Sequence, residues 1–100
     1  MIDMVDIAID VTQDDIDNGN RNDKWSCPIA NAWNRKFPAS EVSVGTESIA
    51  FIDCDGFSAR VQMPYKAKRF IEKFDNLVTV EPFSFTVTVP RCMTDVGGES

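Results

Sequence analysis

The residues of this chain best suited to chemistry lie in K-W-S-C-P-I-A-N-A-W, Lys24 to Trp33, and in the acidic run just before it. Cys27 stands directly before Pro28, at the head of a predicted helix. A thiol there meets free N–H groups and the positive end of the helix dipole, which stabilise a thiolate and favour a nucleophile or redox sensor. The sequence holds no histidine, so a cysteine–histidine dyad is excluded. Neither Cys54 nor Cys92 has another cysteine at the C-x-x-C spacing of a redox motif. Apolar filler is the plainer expectation for Cys27, and also for Cys54, whose strand face is predicted to be core. An odd number of widely spaced cysteines fits reduced thiols in a cytosol.

The acidic run is D-D-I-D-N-G-N-R-N-D, Asp14 to Asp23. As a calcium loop starting at Asp15, it places Gly19 where an oxygen ligand belongs, Asn20 where glycine belongs and Ser26 where glutamate belongs. No calcium site is expected. Zinc would have only three distant cysteines and no imidazole. The chain also lacks a glycine-rich phosphate loop, a G-x-S-x-G elbow and a nucleotide fingerprint. The pairs Asp14/Asp15 and Asp53/Asp55 read as solvated or capping carboxylates in turns. No catalytic residue and no cofactor is therefore expected.

Charge sorts the remaining functions. The net charge is −6, and residues 1–25 carry seven aspartates against Arg21 and Lys24. An acidic protein does not attract phosphate over its whole surface. Two local surfaces stand out. Asp14, Asp15, Asp17 and Asp23 present a dense acidic patch that can engage a basic protein partner. Lys66, Lys68, Arg69 and Lys73, with Arg35 and Lys36 as further candidates, form a basic face to which Tyr65 and Phe51 could add stacking. The bland alternatives are a solubilising acidic surface and the solvated side of an amphipathic helix.

These residues must be positioned by a single domain, since 100 residues is too short for two. M-V-D-I-A-I-D-V, residues 4–11, alternates strictly and reads as a half-buried strand. Thr12 with Asp15 forms a capping box for a short helix, with Gly19 as its left-handed stop. Ser26 is the expected N-cap of the next helix. Ile29, Trp33 and Phe37 form its apolar stripe, Trp25 staples back on Ala30, and Pro38 ends it. Strands follow at 41–44, 49–54 and 57–63. The last two are joined by a two-residue Asp55-Gly56 turn that pairs Cys54 with Phe57 and Ile52 with Ala59, and puts Phe51 opposite Arg60 on the outer face. Pro64 opens a second helix, with Ala67, Phe70, Ile71 and Phe74 inward. A last strand, 78–89, changes parity near Glu81-Pro82, the mark of a bulge. The tail, 93–100, is expected to fray. The prediction is α+β: a largely antiparallel sheet of about five strands, with two amphipathic helices packed on one face.

V-T-Q-D-D-I-D-N-G, then S-C-P-I-A-N-A, then a hairpin, P-x-x-A-x-x-F-I-x-x-F-D and V-x-P-F-x-F together resemble a group of small uncharacterised bacteriophage-encoded proteins over roughly residues 5–87. The D-I-x-x-G and C-P-I-A segments, Asp15 to Gly19 and Cys27 to Ala30, carry the resemblance. Asn31 and Trp33 depart from it, standing where larger aliphatics are expected. The group brings no known activity. It implies a phage accessory protein acting in the host cytoplasm.

The expectation is a non-enzymatic protein that binds, and by binding inhibits, a host or defence macromolecule through protein–protein contacts. A nucleic-acid-associated protein using the 64–75 helix is the alternative, and a thiol-dependent enzyme or sensor at Cys27 a third. No apolar run approaches the roughly 20 residues of a membrane span, and a homo-oligomer stays open.

Overall fold

The first strand of the chain finds its partner at the other end. In the computed structural model, which describes residues 4–21, 23–38 and 40–95, β1 (Met4–Val11) pairs antiparallel with β5 (Phe83–Pro90). Alternation in both strands accounts for this. Ile9 and Val11 on β1 and Phe85, Val87 and Val89 on β5 are buried, while Asp6, Asp10, Ser84 and Thr88 face outward. The outward faces match as well. Thr88 Oγ1 donates to Asp6 Oδ1 at 2.7 Å and Ser84 Oγ to Asp10 Oδ1 at 2.6 Å, each across directly opposed residues.

β2 (Val42–Val44), β3 (Ser48–Ile52) and β4 (Ser58–Gln62) form a second antiparallel sheet in that order. The class is α+β with five strands, but they make two sheets and not one. Periodicity reveals which side chains a strand buries, not which strand lies beside it, so the division was invisible in the sequence. The single five-stranded sheet expected to carry both helices is absent. α2 (Pro28–Lys36) lies against β1 and β2, one strand of each sheet. α3 (Tyr65–Asp75) reaches β5 through Phe70, whose ring stacks on Phe83 with centroids 4.6 Å apart.

The β3–β4 hairpin corrects the expected register by one residue. Phe51 is opposite Ala59 and Ala50 opposite Arg60. The turn has three residues, 54–56, closed by Asp53 N–H to the Phe57 carbonyl at 2.9 Å. Asp53 Oδ1 accepts from the N–H groups of Asp55 at 2.9 Å and Phe57 at 3.0 Å, and Gly56 takes φ +85°. That is a type I turn with a left-handed glycine bulge, which competes with the two-residue turn for the same D-G signal. A slip of one residue exchanges the faces of β3. Phe51 enters the core against Trp33, centroids 5.0 Å apart, and Cys54 moves to the exposed turn.

There Cys54 forms a disulfide with Cys92, with Cα atoms 6.2 Å apart. The expectations of a buried Cys54 and of three reduced thiols are both overturned. The two cysteines are 38 residues apart in sequence, but the hairpin turn and the end of β5 meet in space. Cys92 opens α4 (Cys92–Asp95), which buries Met93, so the chain is ordered two residues past the expected start of the frayed tail. Residues 96–100 of that tail lie outside the described residues.

The helix ends also differ from expectation. Cys27, not Ser26, is the N-cap of α2: its backbone is extended, its Sγ accepts from Ala30 N–H at 3.5 Å, and Pro28 occupies the first helical position. Trp25 is then one place too early to staple, and it is exposed. Gly19 does not supply a left-handed stop after α1 (Gln13–Asp17). It is there for space, since a Cβ on it would lie 2.6 Å from Pro28 Cδ. α3 ends with Leu77 at φ +67°, Leu77 N–H bonded to the Phe74 carbonyl and Val78 N–H to the Lys73 carbonyl, a Schellman pattern. β5 begins only at Phe83, so the parity change marks the end of a loop over 78–82 and not a bulge. The inward residues of α3 are as expected: Ala67, Phe70, Ile71 and Phe74 are all buried. Among the described residues, no helix is long and apolar enough to cross a membrane.

Candidate functional site

The four candidate carboxylates divide into two pairs. Asp15 is buried, its side chain only 6% exposed. Its Oδ2 accepts from Thr12 N–H at 2.8 Å, while its own N–H donates to Thr12 Oγ1 at 3.3 Å, the reciprocal bonds of the capping box. Its Oδ1 meets Arg35 Nη1 of α2 at 2.5 Å, and Arg35 Nη2 also donates to the Asp10 carbonyl at 2.7 Å. Hydrogen bonding to Asp15 raises the Arg35 pKa above its ordinary value. Asn31 adds a bond from its side-chain amide to the Asp15 carbonyl at 3.2 Å. Asp15 thus ties α1 to α2. Asp23 has a similar role in the next loop, where its Oδ1 accepts from Trp25 N–H at 3.0 Å and Ser26 N–H at 3.2 Å.

Asp14 and Asp17 remain exposed. Asp17 accepts from Gln13 Nε2 at 2.9 Å, within its own helix. Asp6 and Asp10 lie outward on β1 and add to the acidic surface. Arg35 partly offsets it. It also belongs to this edge rather than to the basic helix with which the sequence had grouped it.

The basic face divides too. Lys68 reaches Glu47 at 3.5 Å. Lys66, Arg69 and Lys73 recur at i, i+3 and i+7, on one side of α3, and line a groove of about 480 Å³. Tyr65, 75% exposed, stands at the first turn of α3 and also lines it. Phe70, Val80 and Phe83 supply apolar lining, and Thr79 and Glu81 come from the chain that leads into β5. Arg69 also contacts Glu72 at 3.4 Å, an exposed pair of the kind that holds weakly. Phe51 cannot stack on a ligand here, because it is buried against Trp33.

Sequence reasoning missed the wall formed by Thr79, Val80 and Glu81, having assigned it to a strand. The signal was available in the change of parity before Phe83 and in Pro82, which has no N–H to give a ladder.

Cys27 is 3% exposed. Burial is the main cause that pushes its thiol pKa up to about 11, against the lowering effect of the Ala30 N–H. The helix terminus favours the thiolate, as the sequence implied, but desolvation outweighs it. At neutral pH Cys27 is a protonated thiol, capping a helix and filling space.

Compared with protein-family models, with curated proteins and with solved structures, the chain matches none.

Proposed function

We propose that this chain is a small non-enzymatic phage accessory protein that binds a host or defence protein and inhibits it by occupying its surface. The observation that carries the reading is the α3 groove. It combines three cations, an exposed tyrosine and apolar lining in one concavity, as expected of a contact surface with an apolar centre and polar rim. The acidic quarter is the weaker candidate, because Asp15 and Asp23 are committed to the fold and only Asp14 and Asp17 of the four remain exposed. The phage assignment rests on the D-I-x-x-G and C-P-I-A resemblance.

Nucleic-acid association is the second reading, and it draws on the same groove, where Tyr65 offers a face for stacking. The net charge of −6 opposes it. Action in a host cytoplasm belongs to the first reading. The Cys54–Cys92 bond bears against that compartment, since disulfides persist where the surroundings are oxidising.

Affinity capture from bacterial lysate, with and without nuclease, tests the two. A protein retained at stoichiometric amounts after nuclease treatment supports the first reading. Retention that vanishes with nuclease replaces it with the second.

A further inference from the structure

Two kinds of side chain run next to each other along α3. Lys66, Arg69 and Lys73 form a cationic row of roughly 10 Å at 1.5 Å per residue. Lys66 and Lys73 make no ion pair to any other described residue. At 3.6 residues per turn, Phe70 lies roughly 40° from Lys66 and about 60° from Lys73 around the helix. Phe70 stacks on Phe83, and half-buried Phe83 and Val80 carry the apolar surface across the groove. The far wall, Thr79 to Glu81, is a loop that ends at Pro82. Pro82 has no N–H, so this wall offers no ladder to a partner strand.

Apolar side chains also stand exposed at both ends of α3, Tyr65 at its first turn and Leu77 and Val78 just beyond its last. Leu77 has φ +67°, a conformation that suits glycine. An exposed leucine in that conformation costs the fold energy, so the residue type points to a contact outside the chain.

Resting on the reading that this is a protein-binding factor, we infer that the α3 groove takes an amphipathic helix of the partner, with an acidic stripe beside an apolar one. The adjacency of cations and apolar groups carries the choice. An extended chain sends alternate side chains to opposite faces, so it cannot meet two kinds of group that share one side. A helix displays adjacent stripes, and carboxylates at i, i+3 and i+7 repeat the spacing of the cationic row. Its backbone is bonded internally, so it needs no hydrogen bonds from the loop wall. α3 has 11 residues, and a partner helix of that length, roughly 16 Å long and 11 Å across, occupies about 1,500 Å³. The groove holds about 480 Å³. It therefore takes the inward side chains and leaves the helix axis at its rim. Glu81 fixes the orientation, because it repels carboxylates from the loop wall and directs them to α3. Its charge, with the net −6 of the chain, disfavours a polyphosphate in the same place. The chain's own acidic helix, α1, has five residues and is tied to Arg35, so a second copy does not supply the ligand.

The test is fluorescence anisotropy on the full-length protein with four labelled probes. The first is a stapled helical peptide with glutamates at i, i+3 and i+7 beside a stripe of leucines. The second replaces its glutamates by glutamine. The third has the residues of the first in strict alternation, without the staple, and the fourth is a ten-nucleotide oligothymidylate. The helical glutamate peptide should bind, and the glutamine and alternating peptides should bind about tenfold more weakly. Lys66→Glu with Lys73→Glu should weaken the first peptide by about tenfold or more. Both lysines are at the surface, and circular dichroism checks that the variant folds. No binding of the helical glutamate peptide, equal binding of the glutamine or the alternating peptide, preference for the oligothymidylate, or an unaltered affinity in the folded double variant would each overturn the inference. The protein-binding reading fails separately, when lysate capture retains no protein after nuclease. A captured protein held equally by the double variant sinks the groove and spares the function.

Discussion

The carboxylate of Asp15 is shared between the backbone that starts α1 and the guanidinium of Arg35 near the end of α2. One side chain thereby closes a capping box and joins two helices through residues twenty apart in sequence. Arg35 is half exposed, so the pair contributes less than a fully buried one would.

A double-mutant cycle between Asp15→Asn and Arg35→Met should give a coupling energy of about 1–2 kcal/mol in urea unfolding. Asp14→Asn and Asp17→Asn, exposed on the same short helix, should each stay within about 0.5 kcal/mol of wild type. Independence of Asp15 and Arg35 would mean that the capping box alone holds α1.

Cys27 should make stability depend on pH in the alkaline range. The thiol has a folded pKa of about 11 against an ordinary value of 9.0. Between these values the unfolded chain gives up the proton while the folded chain keeps it. The contribution of Cys27 is therefore fully present below pH 9 and is lost as the pH rises toward 11, an effect of about 2–3 kcal/mol. Chemical denaturation at steps across that window should show a steeper loss for wild type than for Cys27→Ala. Parallel curves would place Cys27 in contact with water. At neutral pH the folded protein should also label with a thiol reagent far more slowly than the unfolded chain does.

Leu77 is 71% exposed and has φ +67°. A side chain in that region costs roughly 1–2 kcal/mol of backbone energy, which glycine avoids at the expense of a more flexible unfolded chain. Leu77→Gly should thus stabilise the protein by about 0.5–1 kcal/mol, read as an upward shift of the thermal midpoint. A downward shift would show that the Leu77 side chain makes a contact worth more than the strain.

The disulfide between Cys54 and Cys92 closes a separation of 38 residues. A loop of that length constrains the unfolded chain by roughly 4 kcal/mol. Cys92→Ser, or reduction of the wild type, should lower the denaturation midpoint accordingly. Alkylation of the unfolded but unreduced protein should modify one thiol, and three after reduction. Three modified thiols without reductant would mean that the bond does not form.

Much of the fold was legible because periodicity records burial directly. The alternation of Ile9 and Val11, the spacing of Phe70, Ile71 and Phe74, and the Thr12–Asp15 box all hold. The failures are of another kind. D-G fits two turns that differ by one residue, and the geometry of Asp53, which bonds Asp55 and Phe57, selects the longer one. That single residue decides the face of Phe51 and the exposure of Cys54, and with it the disulfide. The candidate site was half legible. The spacing of Lys66, Arg69 and Lys73 lies in the sequence, as does Tyr65. The opposite wall depends on where β5 stops pairing, a tertiary fact. Among the aspartates the Thr12 box marked Asp15 for internal use, but its bond to Arg35 and the turn bonds of Asp23 were not legible, since a turn-capping carboxylate and a solvated one look alike in sequence.

The central claim is that a protein partner is held through the α3 groove and not through the acidic quarter. The most direct measurement is the affinity of the captured partner, across a salt titration, for wild type, for Lys66→Ala with Lys73→Ala, and for Asp14→Asn with Asp17→Asn, after all three are shown to fold. The account predicts that the lysine pair weakens binding several-fold at low salt and flattens its salt dependence, while the aspartate pair leaves both unchanged. Weakened binding in the aspartate pair, with the lysine pair behaving as wild type, would contradict it and return the contact surface to Asp14 and Asp17.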